Sequence, residues 1–186
     1  MTAPALLLLA HGTEDPAGQA TWDRLASALD RALPGVEVRL AYAGVASPSL
    51  PDVLVELPDP GLVGVLLDRL AEAGAEPGDT VLLAAAGSTD PVAQDDLRTA
   101  AALLTARVGH EVPVGYIAGG EPRVASVVEA SAARGPRAVI ATWLLAPGAF
   151  HRWLSSAGAA LVAEPLGDHP DVVGVAVARY RSAVGA

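Results

Sequence analysis

The chain contains no cysteine. Disulfides, iron–sulfur clusters and thiolate zinc sites are therefore excluded, and any metal must rely on histidine, carboxylate, backbone or a ligand's own nitrogens. Lysine is absent as well: all twelve basic residues are arginine, against 21 acidic ones, for a net charge of −9. That balance argues against nucleic-acid binding, because phosphate contacts need clustered positive charge. Long apolar runs are missing too. Leu6 to Ala10 is too short to span a membrane, and the residues before it lack the positive charge of a signal peptide. A cytoplasmic protein without a membrane partner is the expectation.

What the chain does have is a core-forming composition, 52% hydrophobic over 186 residues and rich in Ala, Val and Leu. This suits helices packed on a buried parallel sheet. Apolar runs and helical stripes alternate along it, which predicts an α/β fold with parallel sheets and helices on both faces. Strands are expected at Leu6–Leu9, Val36–Tyr42, Val81–Ala85, Val112–Ile117, Ala138–Leu145 and Ala160–Ala163. Helices are expected at about Gly18–Leu33, around Leu62–Leu70, at Val92–Val108, from Val124 towards Gly135, after Pro147, and from Pro170 onward. The proline-rich stretch from Ser47 to Pro60 has room only for a short helix.

The most informative phrase is Leu6-Leu-Leu-Leu-Ala-His-Gly-Thr-Glu-Asp-Pro16, an apolar strand ending in His11 before a turn. It returns 75 residues later as Leu82-Leu-Ala-Ala-Ala-Gly-Ser-Thr-Asp-Pro91, with Ala86 in place of the histidine. The chain thus reads as a duplication with a boundary at the Glu76–Asp79 turn: residues 1–75 form a shortened first half and 76–186 a four-stranded second half. From Pro48 to Asp59 the first half is 35 residues shorter than the second is from Pro122 to Asp168. A two-stranded half must lean on the other half or on a second chain, and a homodimer is expected.

Each notable residue also has a plain structural role. His11 at a strand's carboxyl edge stands where α/β folds bind ligands, but it could simply close the strand. His110 and His169 fit helix ends, and Glu121 before Pro122 fits a helix start. Asp15-Pro16 and Asp90-Pro91 read as capping turns. Trp143 and Trp153 flank the His151 loop, with core packing favoured over a flat ring pocket. A histidine phosphatase is disfavoured, since Ala10 stands where an arginine would clamp phosphate. No Gly-x-Ser-x-Gly elbow of a serine hydrolase occurs.

The Ala-His-Gly-Thr-Glu-Asp-Pro phrase, the duplication, Pro48-Ser-Leu50 and Leu166-Gly-Asp-His-Pro170 together resemble the sirohydrochlorin chelatase family, class II tetrapyrrole chelatases. The resemblance spans nearly the whole chain. It implies two flavodoxin-like units with a metal site in the cleft between them, and insertion of a divalent ion into a sirohydrochlorin-type tetrapyrrole. It also implies that Co²⁺, Fe²⁺ or Ni²⁺ enters as a substrate and that no organic cofactor is used. His11 matches the family's first histidine. Ala146-Pro-Gly-Ala-Phe-His151 resembles the loop that supplies the second. His11 and His151 are thus the candidate metal ligands and catalytic groups, and neutral imidazole with an ordinary pKa of about 6.5 can also take pyrrole protons. The family's carboxylate falls on Gly44 and Ala118, which leaves Glu121 as the nearest substitute ligand. Gly12, Thr13, Gly87 and Ser88, at expected helix N-termini, and Arg123 and Arg152 are candidates for the substrate's carboxylates. The alternative reading is a non-catalytic descendant that carries or senses a tetrapyrrole or metal.

Overall fold

The computed structural model describes residues 5–11, 15–43, 60–133 and 137–185. In chain order these form β1 (Leu6–His11), α1 (Pro16–Ala32), β2 (Val38–Ala43), α2 (Pro60–Glu72), β3 (Thr80–Ala85), α3 (Pro91–Val108), β4 (Val114–Tyr116), α4 (Val124–Ala132), β5 (Ala138–Trp143), α5 (Ala149–Leu154), β6 (Leu161–Val162) and α6 (Pro170–Val184). The expected short helix in Ser47–Pro60 falls almost wholly outside the described residues.

Two parallel sheets result, one in each half. β1 and β2 pair in register from Leu6 opposite Val38 to His11 opposite Ala43. The second sheet has the order β4-β3-β5-β6, with every pair parallel. Its central strands are buried on both faces. Val81, Leu83, Val139, Ala141 and Trp143 point into one apolar layer, which also takes in α2, α3 and α6. Leu82, Ala84 and Ile140 point into a second layer, with Val124, Val127 and Val128 of α4 and Leu154 of α5. Helices therefore cover both faces, as the uninterrupted Val-Leu-Ala strands require.

The first half does not close its own core. Leu8 and Ala10 of β1, Trp22, Leu25 and Leu29 of α1, and Leu62, Val63, Val65 and Leu66 of α2 belong to the same buried cluster as Val81 and Val139 of the second sheet. α2 packs on β5 and on α3 and α6, and α1 also packs on α6. Polar ties reinforce the join. The Arg24 Nε reaches both Asp168 carboxylate oxygens at 3.1 Å, and an Arg69 guanidinium nitrogen donates to the Leu166 carbonyl at 3.1 Å. His169 caps α6 by accepting the Asp171 N–H on Nδ1, with its Nε2 3.4 Å from Asp68 of α2.

Element edges differ from the sequence expectation for local reasons. α1 and α3 begin earlier, at Pro16 and Pro91, because Asp15 and Asp90 cap them and proline suits a first turn. β1 extends through His11 because its pairing with β2 continues to Ala43. β4 starts only at Val114, since Pro113 has no N–H for the ladder, although its carbonyl accepts from Leu83 at 2.9 Å. β5 stops at Trp143, before the Pro147 turn.

Candidate functional site

The carboxyl edge of the second sheet has a topological switch. The chain leaves β3 towards β4 on one side and leaves β5 towards β6 on the other. The ends of β3 and β5 thus open a crevice of the kind where α/β folds bind ligands. It is lined by Ala85 at the end of β3, Ala86 to Ser88 after it, Gln94 and Leu97 of α3, Tyr116, and Trp143 with Leu144. Its free volume of about 40 Å³ is room for solvent or one small group, far less than a macrocycle needs. The Trp143 indole N–H is buried and has no hydrogen-bond partner among the described residues.

Gly87 shapes this edge. Its φ is +101°, and a Cβ there would lie 2.7 Å from the backbone of Gly119. Only glycine lets the loops after β3 and β4 come this close. Ser88 is occupied locally: its Oγ accepts the Asp90 N–H at 3.1 Å, and its carbonyl accepts from Gln94 at 2.9 Å. The N-terminus of α3 is not open to an anion in the way the sequence suggested. The Asp90 carboxylate already accepts the Val92 N–H at 2.9 Å, so a substrate carboxylate would meet fixed negative charge. Asp15 does the same for α1, accepting the Ala17 N–H at 3.0 Å.

Glu121 and Arg123 sit on the loop after β4. They pair with each other at 3.2 Å, and both are well exposed. The Arg123 guanidinium also donates to the carbonyls of Ile117 and Ala118, so much of its donor capacity holds this loop. Trp143 is 3% exposed and Trp153 56% exposed. Core packing therefore describes the first but not the second, which lies tilted against Phe150 with ring centroids 5.3 Å apart.

His151 lies on α5, which follows the β5 edge, and its Nε2 is 3.3 Å from the Ala163 carbonyl. A carbonyl only accepts, so Nε2 bears the proton and, in the neutral ring, Nδ1 keeps its lone pair. The same carbonyl accepts from the buried Thr142 hydroxyl at 2.6 Å. His11 is the last residue of β1, at the carboxyl edge of the first sheet. Gly12 and Thr13 lie outside the described residues. The two edges meet through Arg152, next to His151, which forms an ion pair with Asp15 at the start of α1. Four peptide units separate Asp15 from His11, a reach of at most about 14 Å. Among the described residues, no three histidine or carboxylate groups gather into a metal site.

A family model described as CbiX matches residues 5–71 and 80–183. The chain belongs to the CbiX family. The sirohydrochlorin chelatase resemblance of its motifs agrees with this assignment, and so does the expectation of a chelatase-like enzyme. Among solved structures, SirB from Bacillus subtilis with Fe³⁺ superposes with a TM-score of 0.75 at 15% identity, covering 97% of this chain and 95% of that one. The sirohydrochlorin chelatase SirB from Bacillus subtilis subspecies spizizenii in complex with cobalt gives 0.70 at 14% identity, with 98% and 95% covered. CbiX, described as the terminal enzyme for biosynthesis of siroheme in denitrifying bacteria, gives 0.55 at 24% identity, with 96% and 98% covered. These similarities show a shared fold. No curated protein matches. Among the described residues, no helix of this CbiX-family chain is long and apolar enough to cross a membrane.

The sequence did not point to the β3–β5 crevice or to Gln94 and Tyr116 as its lining. The strand order that creates the crevice has no local sequence signal. The nearest available sign was the repeat itself, which placed Gly87 and Ser88 at a strand edge.

Proposed function

We propose that this protein inserts a divalent metal ion into a sirohydrochlorin-type tetrapyrrole in the cytoplasm. His11 acts as ligand and proton acceptor, His151 as a second ligand through Nδ1, and Glu121 as a further candidate ligand. The observation that carries this reading is the Asp15–Arg152 ion pair, which ties the helix bearing His151 to the start of α1, four residues after His11. Family membership supports the activity. Imidazoles with few other protein ligands hold Co²⁺, Fe²⁺ or Ni²⁺ loosely enough to release it to four ring nitrogens. The carbonyl of Ala163 fixes the tautomer that such a ligand needs, an arrangement common behind metal-binding histidines. Gly12, Thr13 and Arg123 remain the candidates for the substrate's carboxylates, since Asp90 caps the helix after Gly87 and Ser88 and Asp15 holds Arg152. The protein acts as a homodimer.

The test is anaerobic mixing of the protein with sirohydrochlorin and Co²⁺, followed by absorbance. Repeated turnover is expected, and His11→Ala should lower it by about 10²–10⁴-fold, the range of a lost general base. His151→Ala should raise the Co²⁺ concentration needed for half-maximal rate. Stoichiometric binding without turnover would instead establish the carrier or sensor reading.

A further inference from the structure

The Asp15 carboxylate serves two elements from different halves of the chain. Oδ1 accepts the Ala17 N–H and caps α1. Oδ2 accepts from the guanidinium of Arg152, 137 residues away on α5. The Asp15 side chain is 16% exposed while Arg152 is 62% exposed, so the anion is held in place and the cation comes to it. The repeat gives an internal comparison. Asp90 caps α3 in the same way, with the same extended backbone and the same proline following, yet its only described side-chain bond is to the Val92 N–H. Capping therefore explains an aspartate at both positions but does not explain the second bond at Asp15.

α5 is short, and what holds it to its own half is the buried Leu154, the packing of Phe150 and the His151 bond to the Ala163 carbonyl. Its N-cap residue, Gly148, offers no side chain, and Leu154 is its buried anchor. The loop leading into it is anchored by Leu145 in the shared apolar layer and by the Leu144 and Leu145 carbonyls, which accept from Leu166 and Gly167 at 2.9 and 2.8 Å. Arg152 adds to these an ion pair from α5 to the first half, one residue after His151.

We propose that Asp15 and Arg152 form a positioning pair that holds α5, and with it His151, against the N-terminus of α1. Arg152 then acts on the metal site through His151 and not by binding the substrate's carboxylates. This rests on the metal-insertion reading above for its consequence, but not for its geometry.

Asp15→Asn separates the two roles, because asparagine caps a helix about as well as aspartate but carries no charge. Two measurements are made on the full chain: hydrogen exchange of the α5 amides without metal, and Co²⁺ affinity by titration. Asp15→Asn and Arg152→Ala should each speed α5 exchange and raise the Co²⁺ Kd by about two- to fivefold, the range an exposed ion pair supplies. The double variant should be no worse than either single one, and Arg152→Lys should recover part of the loss. Unchanged α5 exchange in both single variants would overturn the pair as a positioning device. Additive effects in the double variant would do the same. If Asp15→Asn matches the wild type while Arg152→Ala raises the KM for sirohydrochlorin, Arg152 serves the substrate and the proposal is wrong. If exchange responds as expected but the wild type binds no Co²⁺, the positioning stands and the metal-site reading fails.

Discussion

Gly87→Ala should be among the most damaging single changes outside the buried core, although it adds one methyl group. Two costs combine. At φ +101° an alanine leaves its favoured backbone regions, which costs about 1–3 kcal/mol. Its Cβ would also lie 2.7 Å from the Gly119 backbone nitrogen and carbonyl carbon, with no flexible side chain able to yield. Forcing such an overlap costs about 1–3 kcal/mol more. The expected loss is thus about 2–6 kcal/mol, a large share of the 5–15 kcal/mol that holds a typical domain. Urea unfolding followed by the fluorescence of buried Trp22 and Trp143 reads it directly. With an m-value of about 2 kcal/mol/M, the midpoint should fall by about 1–3 M. Two controls isolate the causes. Gly35→Ala meets nothing within 4 Å at φ +85°, so it should show the backbone strain alone. Gly119→Ala approaches the same contact from the other side, but its Cβ sits at an ordinary 3.5 Å from Gly87, so it should be nearly silent. A Gly87→Ala midpoint no lower than that of Gly35→Ala would refute the claim that these two loops are closely apposed.

Thr142→Val removes the 2.6 Å bond to the Ala163 carbonyl and should cost about 1–2 kcal/mol in the same unfolding assay, while leaving His151 its acceptor. Burial raises the Asp96 pKa above its ordinary 3.8, opposed by Arg179 and aided by Asp95 and Asp90. The folded protein thus binds this proton more tightly than the unfolded chain. Asp96's contribution to stability should fall as pH rises from 3.8 through the raised value, and Asp96→Asn should flatten that part of the stability–pH curve. The homodimer is checked by sedimentation at micromolar concentration, where a monomer would overturn it.

The order of strands and helices was legible because both periodicities are strong here. The uninterrupted Val81–Ala85 and Ala138–Trp143 runs could only be strands buried on both faces. The spacing of matched prolines and acids led to the expectation of unequal halves, and the described strands form a two-stranded and a four-stranded sheet. What stayed hidden depends on contacts between residues far apart in the chain. Nothing in Arg152 signals a partner at Asp15, and nothing in Gly87 signals Gly119. Trp153 reads as core by residue type, yet the one-turn helix that carries it buries Leu154 and turns the indole outward. The helix-terminus argument at Ser88 failed because the cap two residues later takes the amide first.

α2 belongs by sequence to the first copy of the repeat but is seated on β5 of the second. The two sheets are therefore not independent, because elements of both share one interior. Expressing residues 76–186 alone would strip the lid from one side of their sheet, and the described strands of residues 1–75 would lose the apolar layer they share with Val81 and Val139. The chain should melt in one transition, and any event at one rim must be felt by the packing that supports the other.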